Sequence, residues 1–265
     1  ELREEMLVQG PNFRDWTWAH AAINDDKGGD WFVVDPKIID PSDPDCLYRH
    51  RAVSQYEMDK KGYPAEVCEL WSPVRAIGLY IHLELPLRNI QVRMLDSGEA
   101  DTYRYIHAPG GRGFVRNHGP FATGDEERPY QRGVFHRTAN EQEAGLYINT
   151  NKTGDINKAE KDKGYVIPWS HDEALYWLEK LRNWQERYNP LEAPTPWTAL
   201  EEKHFGGTPP HAEVLAQRGT ACFLFRDPTD SEADKPITKA QINSLWYKLL
   251  AALEQRCAGR DKLDN

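Results

Sequence analysis

The sequence has no long hydrophobic run, no closely spaced cysteine pair and no excess of positive charge. No apolar stretch approaches the roughly 18 residues that a membrane-spanning helix needs, and no secretory signal pattern is present, so we expect a cytoplasmic protein without a membrane partner. The 4 cysteines are scattered, with no Cys-x-x-Cys pair, which argues against a zinc site. Because the formal net charge is -9, any surface that binds nucleic acid must be a local basic patch.

The chain of 265 residues is long enough for one large domain or two small ones. Residues 1–53 are rich in Trp, Pro and Asp and contain many turn dipeptides, so we predict an extended lead-in segment that packs on the domain. We predict that residues 54–265 belong to the domain itself.

A helix that ends at a proline precedes Arg88. Residues 72–85 combine a helix start with apolar residues at helical spacing. Pro86 has no backbone N–H and interrupts that helix, which places Arg88 between two apolar segments. An arginine in such a position is either paired with a carboxylate, here Glu99 or Asp101, or available to an anion.

Residues 103–138 are the most basic part of the chain and interleave arginine with glycine and aromatic residues. This composition suits either a solvated surface loop or contacts with phosphates. The arginines that we predict to contact DNA are Arg104, Arg112, Arg116, Arg132 and Arg137.

Two β-rich runs, 144–153 and 164–169, flank a charged connection and predict a β-hairpin. Together with a strand near 103–107 they would form a small antiparallel sheet. Periodic apolar residues predict helices at 170–188 and 238–257. The fold class is therefore expected to be α+β, mostly helical, with a small antiparallel sheet and a hairpin.

Arg88, Gln91, Leu95 and Glu99 follow an apolar helix at offsets that resemble the first box of the tyrosine recombinases, the phage-integrase family. The resemblance continues into the hairpin, where Lys152 matches the lysine of that family. The amino-acid sequence of these segments also resembles that of a divergent bacterial group of integrases from mobile genetic elements, the gamma-mobile-trio recombinases.

The resemblance, which covers roughly residues 65–188, implies a function. It implies site-specific DNA recombination and integration, in which a tyrosine attacks a phosphodiester and leaves a 3′-phosphotyrosyl bond and a 5′-hydroxyl. Arg88 would bind the scissile phosphate, and Lys152 would protonate the leaving oxygen. The implied partners are double-stranded DNA and other recombinase subunits on that DNA, and the mechanism requires no metal or cofactor.

The sequence also departs from the family pattern. Gln91 stands where the family has Glu, and none of the 9 histidines belongs to a His-x-x-Arg box. We find no candidate for the tyrosine nucleophile either, since Tyr247 lies in an apolar helix with no such box before it. We therefore expect the chain to hold the N-terminal part of the catalytic domain, to stop before these parts, and to be inactive alone.

Two other hypotheses remain open. A metal-dependent nuclease would use Asp96, Glu99 or Asp101 to hold Mg²⁺, with Lys152 beside the metal. A non-catalytic module of a mobile element would bind DNA or protein without a catalytic site. The convergence of Arg88 and Lys152 on one basic cleft would distinguish the recombinase from this last hypothesis.

Overall fold

The computed structural model describes residues 17–26, 29–108, 111–137, 144–151, 158–159, 162–168, 171–229 and 232–257. The chain divides into two compact units. The first holds helix α1 and the residues of helix α8 from Ala240 onward, and the second holds Asp30–Lys239.

Helices and short strands are interspersed along the chain. The helices are α1 (Thr17–Asp25), α2 (Gln55–Lys61), α3 (Val74–Glu84), α4 (Asn89–Arg93), α5 (Asp172–Tyr188), α6 (Glu202–Phe205), α7 (Ala212–Arg218) and α8 (Lys239–Cys257). The strands are β1 (Trp31–Val34), β2 (Tyr48–Ala52), β3 (Glu66–Trp71), β4 (Tyr103–Ala108), β5 (Gly111–Arg116), β6 (Phe135–Arg137), β7 (Ala144–Ile148), β8 (Tyr165–Ile167), β9 (Thr195–Pro196) and β10 (Thr220–Ala221).

In the first unit, Asp26 lies directly after α1 and joins α1 to α8. Its carboxylate accepts hydrogen bonds from Ser244 Oγ at 3.1 Å and from Lys248 Nζ at 2.5 Å.

None of the helices in the described part of the chain has the length and apolar character needed to cross a bilayer.

The second unit begins with a three-stranded antiparallel sheet in the order β1-β3-β2. Its central strand β3 is buried along most of its length because it has a neighbour on each side. Strands β1 and β2 belong to the predicted lead-in segment, and β3 lies beyond residue 53. The boundary at that residue stays a prediction.

The predicted hairpin is confirmed. Strand β7 pairs with β8 in antiparallel register, with Leu146 opposite Ile167. The expectation of one sheet that also contains the strand near 103–107 is wrong, because β4 pairs with β5, and β7 has β6 as its other neighbour. Every strand pairing in the described residues is antiparallel, and the α+β fold class is confirmed.

Helices α3 and α4 are separated as the sequence predicts. Helix α3 ends at Glu84, with Leu85 as its C-cap, and α4 begins at Asn89 beyond the proline. Helix α5 begins two residues later than the predicted start at residue 170, and its N-cap is His171, whose Nδ1 accepts a hydrogen bond from the Ala174 backbone.

The buried turn at 96–101 is the hub of the second unit. Three separate segments are hydrogen-bonded to the backbone of the turn: Ser97 N donates to Cys222 O, Val134 N donates to Asp96 O, and the side-chain Nδ2 of Asn117 donates to Glu99 O. Because these partners lie far apart in sequence, the turn fixes the relative positions of the elements that surround the cleft described below.

Candidate functional site

A cleft of about 530 Å³, hereafter the Arg88 cleft, opens beside α4 and the end of β7. One part of its lining is polar and cationic, and the other part is apolar. The described residues that line it are Arg88, Ile90, Gln91, Thr150, Asn151, Trp197, Phe205, Gly207, Thr208, Pro210 and Arg218. Its size is within the range of pockets that bind small molecules or parts of larger ligands.

Arg88 is the N-cap residue of α4, and its side chain is exposed. The alternative that it pairs with Glu99 or Asp101 is wrong, because Glu99 Oε1 lies 2.6 Å from a guanidinium nitrogen of Arg226, and Asp101 accepts from backbone N–H groups. Among the described residues, Arg88 has no carboxylate within ion-pair distance. Its charge therefore faces the cleft, as an anion-binding residue requires.

Gln91 connects Arg88 to the hairpin. Its Oε1 accepts a hydrogen bond from the backbone N–H of Arg88 at 3.0 Å, and its Nε2 donates to the carbonyl of Thr150 at 3.0 Å. The same Nε2 lies 3.3 Å from the hydroxyl of Tyr165 on β8. Gln91 is only 7% exposed, so these bonds are made away from solvent.

Lys152 lies outside the described residues, but the two residues before it line the Arg88 cleft. Thr150 is 7% exposed, and its hydroxyl has no hydrogen-bond partner among the described residues. A buried hydroxyl without a partner is unusual, because the loss of its hydrogen bonds to water is then not compensated. The end of β7 thus brings a hydroxyl and Asn151 to the same cleft as Arg88.

Arg218 is a charged cleft residue that was not predicted from the sequence. It ends α7, and its guanidinium carbon lies 4.8 Å above the ring of Trp197, which also lines the cleft. The run 212–218 contains only residues that favour helices or tolerate them, and Gly219 follows it with a positive φ of 73°. This helix-compatible run closed by a glycine lies within a stretch whose other residues are typical of a loop.

The carboxylates that a metal-dependent nuclease would need are turned into the protein. Glu99 pairs with Arg226, and Asp96 and Asp101 each accept hydrogen bonds from backbone N–H groups. Among the described residues, no group of three or more His, Cys, Asp or Glu side chains is placed to hold a metal ion. The nuclease hypothesis therefore loses the acidic cluster on which it was based.

Burial changes the acidity of these carboxyls. Burial and the nearby Asp101 raise the pKa of Asp96 to about 7. Burial also raises the pKa of Asp101 to about 6, although backbone hydrogen bonds oppose that rise. Both carboxyls thus lose their protons at a higher pH in the folded protein than in the unfolded chain.

A smaller recess of about 30 Å³ shares Trp197 and Arg218 with the Arg88 cleft. Arg132, Asn149 and Asp96 also line it. Arg132 is thus the one residue among the five predicted DNA-contacting arginines that reaches the neighbourhood of the cleft in the described structure.

The other four predicted DNA-contacting arginines lie on β4, β5 and β6 and are not among the described residues that line the cleft. Arg104 pairs with Glu186 at 2.7 Å, and Arg112 pairs with Asp172, so α5 supplies a carboxylate to each. The guanidinium carbons of Arg116 and Arg137 lie 5.9 Å and 4.6 Å from the ring centroid of Tyr103.

Residues 1–198 match the model of the Integrase_2 family, whose description is "Putative integrase". The match contains α3, α4, the hairpin and therefore both positions singled out by sequence, Arg88 and Lys152. Neither a search of curated proteins nor a search of solved structures found a match. Because the family model spans about three quarters of the chain, the chain belongs to this integrase family.

Proposed function

We propose that the Arg88 cleft binds a DNA phosphodiester and that the chain acts in site-specific breakage and rejoining of double-stranded DNA. The observation that carries this proposal is the convergence of Arg88, Arg218 and the end of β7 on one cleft. The integrase family match, which includes two of these three elements, supports the assignment of the anion as DNA.

The geometry suits a phosphate that gains charge in the transition state. Two guanidinium groups can each donate paired N–H bonds to non-bridging oxygens, which a lysine cannot do. Thr150 adds a neutral hydroxyl donor that has no hydrogen-bond partner in the described part of the chain. Donors that are already in place need no rearrangement when charge develops, and such preorganised donors supply much of the rate enhancement in many enzymes.

In this proposal the strands are cut by a tyrosine, which forms a 3′-phosphotyrosyl bond and releases a 5′-oxygen that Lys152 protonates. No tyrosine is among the described residues that line the cleft. We therefore assign no nucleophile among the described residues. Other recombinase subunits on the same DNA would complete the assembly.

Binding is tested with a fluorescently labelled DNA duplex and anisotropy at several salt concentrations. For each phosphate contact, log K should fall with log salt by about 0.9. Arg88→Ala and Arg218→Ala should each weaken binding on the order of tenfold, because each removes charge-assisted hydrogen bonds. Lys60→Ala, which removes the same charge from exposed α2, is the matched control and should bind like the wild type. Equal loss in all three variants would overturn the proposal.

The covalent mechanism is tested with a nicked suicide duplex, from which the cleaved strand diffuses away. We expect no covalent adduct with the 265-residue chain, because no nucleophile is assigned in it. An adduct that mass spectrometry places on a tyrosine of this chain would show that the expectation about the nucleophile is wrong. An adduct on any residue type other than tyrosine would contradict the phosphotyrosyl mechanism.

A further inference from the structure

The side chain of Gln91 joins three elements that are separate in sequence. Its carboxamide contacts the N-cap backbone of α4, the carbonyl of Thr150 after β7 and the hydroxyl of Tyr165 on β8. Both amide hydrogens and one oxygen lone pair thus have partners within 3.3 Å. No other side chain described at the cleft is bonded both to Arg88 and to the strand that leads to Lys152.

The chemistry of these partners explains a glutamine at this position. The Thr150 carbonyl can only accept, so its partner must be a donor. A glutamate could accept from Arg88 N, but an ionised carboxylate has no hydrogen to give to Thr150 O. An ionised glutamate at this position would therefore lose the bond to Thr150 O that the amide of Gln91 makes.

We propose that Gln91 is a positioning residue, which sets the distance between Arg88 and the Thr150–Asn151 segment across the Arg88 cleft. This inference rests on the proposed function, because it assumes that both sides of the cleft contact one phosphate. Gln91 acts through the two backbones that it holds and does not itself need to contact DNA.

A second hydrogen bond, made by Asn149, limits the effect of Gln91 to the residues beyond Asn149. Asn149 Nδ2 donates to the carbonyl of Met94 at 2.5 Å, and the register between β7 and β8 is held by backbone hydrogen bonds. Loss of the Gln91 bonds should therefore leave the hairpin attached to α4 at Asn149. Residues beyond that anchor, Thr150 and Asn151, would then be able to move relative to Arg88.

The test compares Gln91→Met with the matched control Gln185→Met. Gln185 is also a buried glutamine, and its Nε2 bridges the carbonyls of Leu224 and Arg226, away from the cleft lining. Both variants keep side-chain length and lose an amide that bridges backbone groups. Both should lower the melting temperature, so stability alone does not separate them.

The salt dependence of binding to the labelled duplex separates a positioning role from a structural one. Gln91→Met removes no charge, so it can change the salt slope only if it moves a charged group away from a phosphate. We expect Gln91→Met to weaken binding about tenfold or more and to reduce the slope by about one phosphate contact. Gln185→Met should keep the wild-type slope at a temperature where both variants are folded. An unchanged slope in Gln91→Met would overturn the inference.

Backbone hydrogen exchange tests the positioning role of Gln91 independently of the proposed function. If wild-type protein shows no salt-dependent binding, or if Arg88→Ala binds like wild type, the proposed function fails. The geometric part of the inference is then decided by backbone exchange in 144–151. Faster exchange there in Gln91→Met but not in Gln185→Met supports the positioning role, and equal protection in both variants refutes it.

Discussion

The backbone N–H of Cys222 donates to Asp96 Oδ2 at 3.1 Å, which joins the hub turn to the segment after β10. Asp96 is 6% exposed, and the pKa of this carboxyl is raised to about 7, first by burial and second by the charge of Asp101. Ionisation of Asp96 therefore costs stability in the folded protein.

The sign of the resulting pH dependence follows from proton uptake. Between the ordinary pKa of 3.8 and the folded value of about 7, folded Asp96 keeps a proton that the unfolded chain has lost. Stability from this group should fall as pH rises through that window, by at most about 1.4 kcal/mol per pH unit. Asp101, with a pKa of about 6, contributes in the same sense.

We expect the melting temperature of the wild type, measured relative to Asp96→Asn, to fall as pH rises from 5 to 8. The variant has no titrating group at position 96, and the contributions of histidines cancel in the difference. Thermal unfolding by circular dichroism at several pH values measures this. A difference that stays constant with pH would show that Asp96 does not titrate in this range.

Arg226 and Arg88 should differ sharply in their effects on stability. Arg226 is fully buried and lies 2.6 Å from Glu99, so Arg226→Ala leaves a buried carboxylate without its cation and should cost about 3–5 kcal/mol. Arg88 is exposed, and Arg88→Ala should change stability by less than about 0.5 kcal/mol. Chemical denaturation measures both. A larger loss of stability in Arg88→Ala than in Arg226→Ala would indicate that Arg88 is a structural ion-pair residue.

The surroundings of Arg88 could be predicted because they depend on local rules. Pro86 ends one helix wherever it occurs in such a pattern, and the next helix begins where helical spacing resumes. The hairpin of β7 and β8 could be predicted for a similar reason, since β-rich runs and a polar connection are local features. These two segments supply one side of the cleft.

Long-range pairings could not be predicted in the same way. Glu99 pairs with Arg226 rather than with Arg88, although Arg88 is much closer in sequence. Strand β4 pairs with β5 because that neighbour follows it directly along the chain, and the sheet of the hairpin forms without it. Arg218 lies over the ring of Trp197 at the cleft, a contact that no spacing in the sequence indicates.

We expect the acidic residues at 96–101 not to bind a divalent metal in the folded chain. Asp96, Glu99 and Asp101 already have protein partners, so Mg²⁺ finds no open set of oxygen ligands among them. We expect no rise in melting temperature on adding Mg²⁺ and no degradation of plasmid DNA. Degradation that requires Mg²⁺ and is lost in Asp96→Asn would revive the nuclease hypothesis.

Arg132 and Arg104 form a matched pair for the predicted DNA contacts. Their side chains are similarly exposed, at 22% and 23%, and each is paired with one carboxylate, Asp162 or Glu186. Only Arg132 lines the recess that shares Trp197 with the Arg88 cleft. The Asp162 contact is also longer, at 3.5 Å against 2.7 Å for Arg104, which leaves Arg132 more available to a phosphate.

We therefore expect Arg132→Ala to weaken duplex binding and to reduce the salt slope by about one contact. Arg104→Ala removes the same charge, but its guanidinium is held by α5, and its salt slope should remain that of the wild type. Anisotropy titrations with one duplex at several salt concentrations measure both variants. If Arg104→Ala reduces the slope as much as Arg132→Ala, the DNA extends over the β4–β5 surface. If neither variant changes the slope, the phosphate contacts are confined to the Arg88 cleft, and the predicted role of Arg132 is wrong.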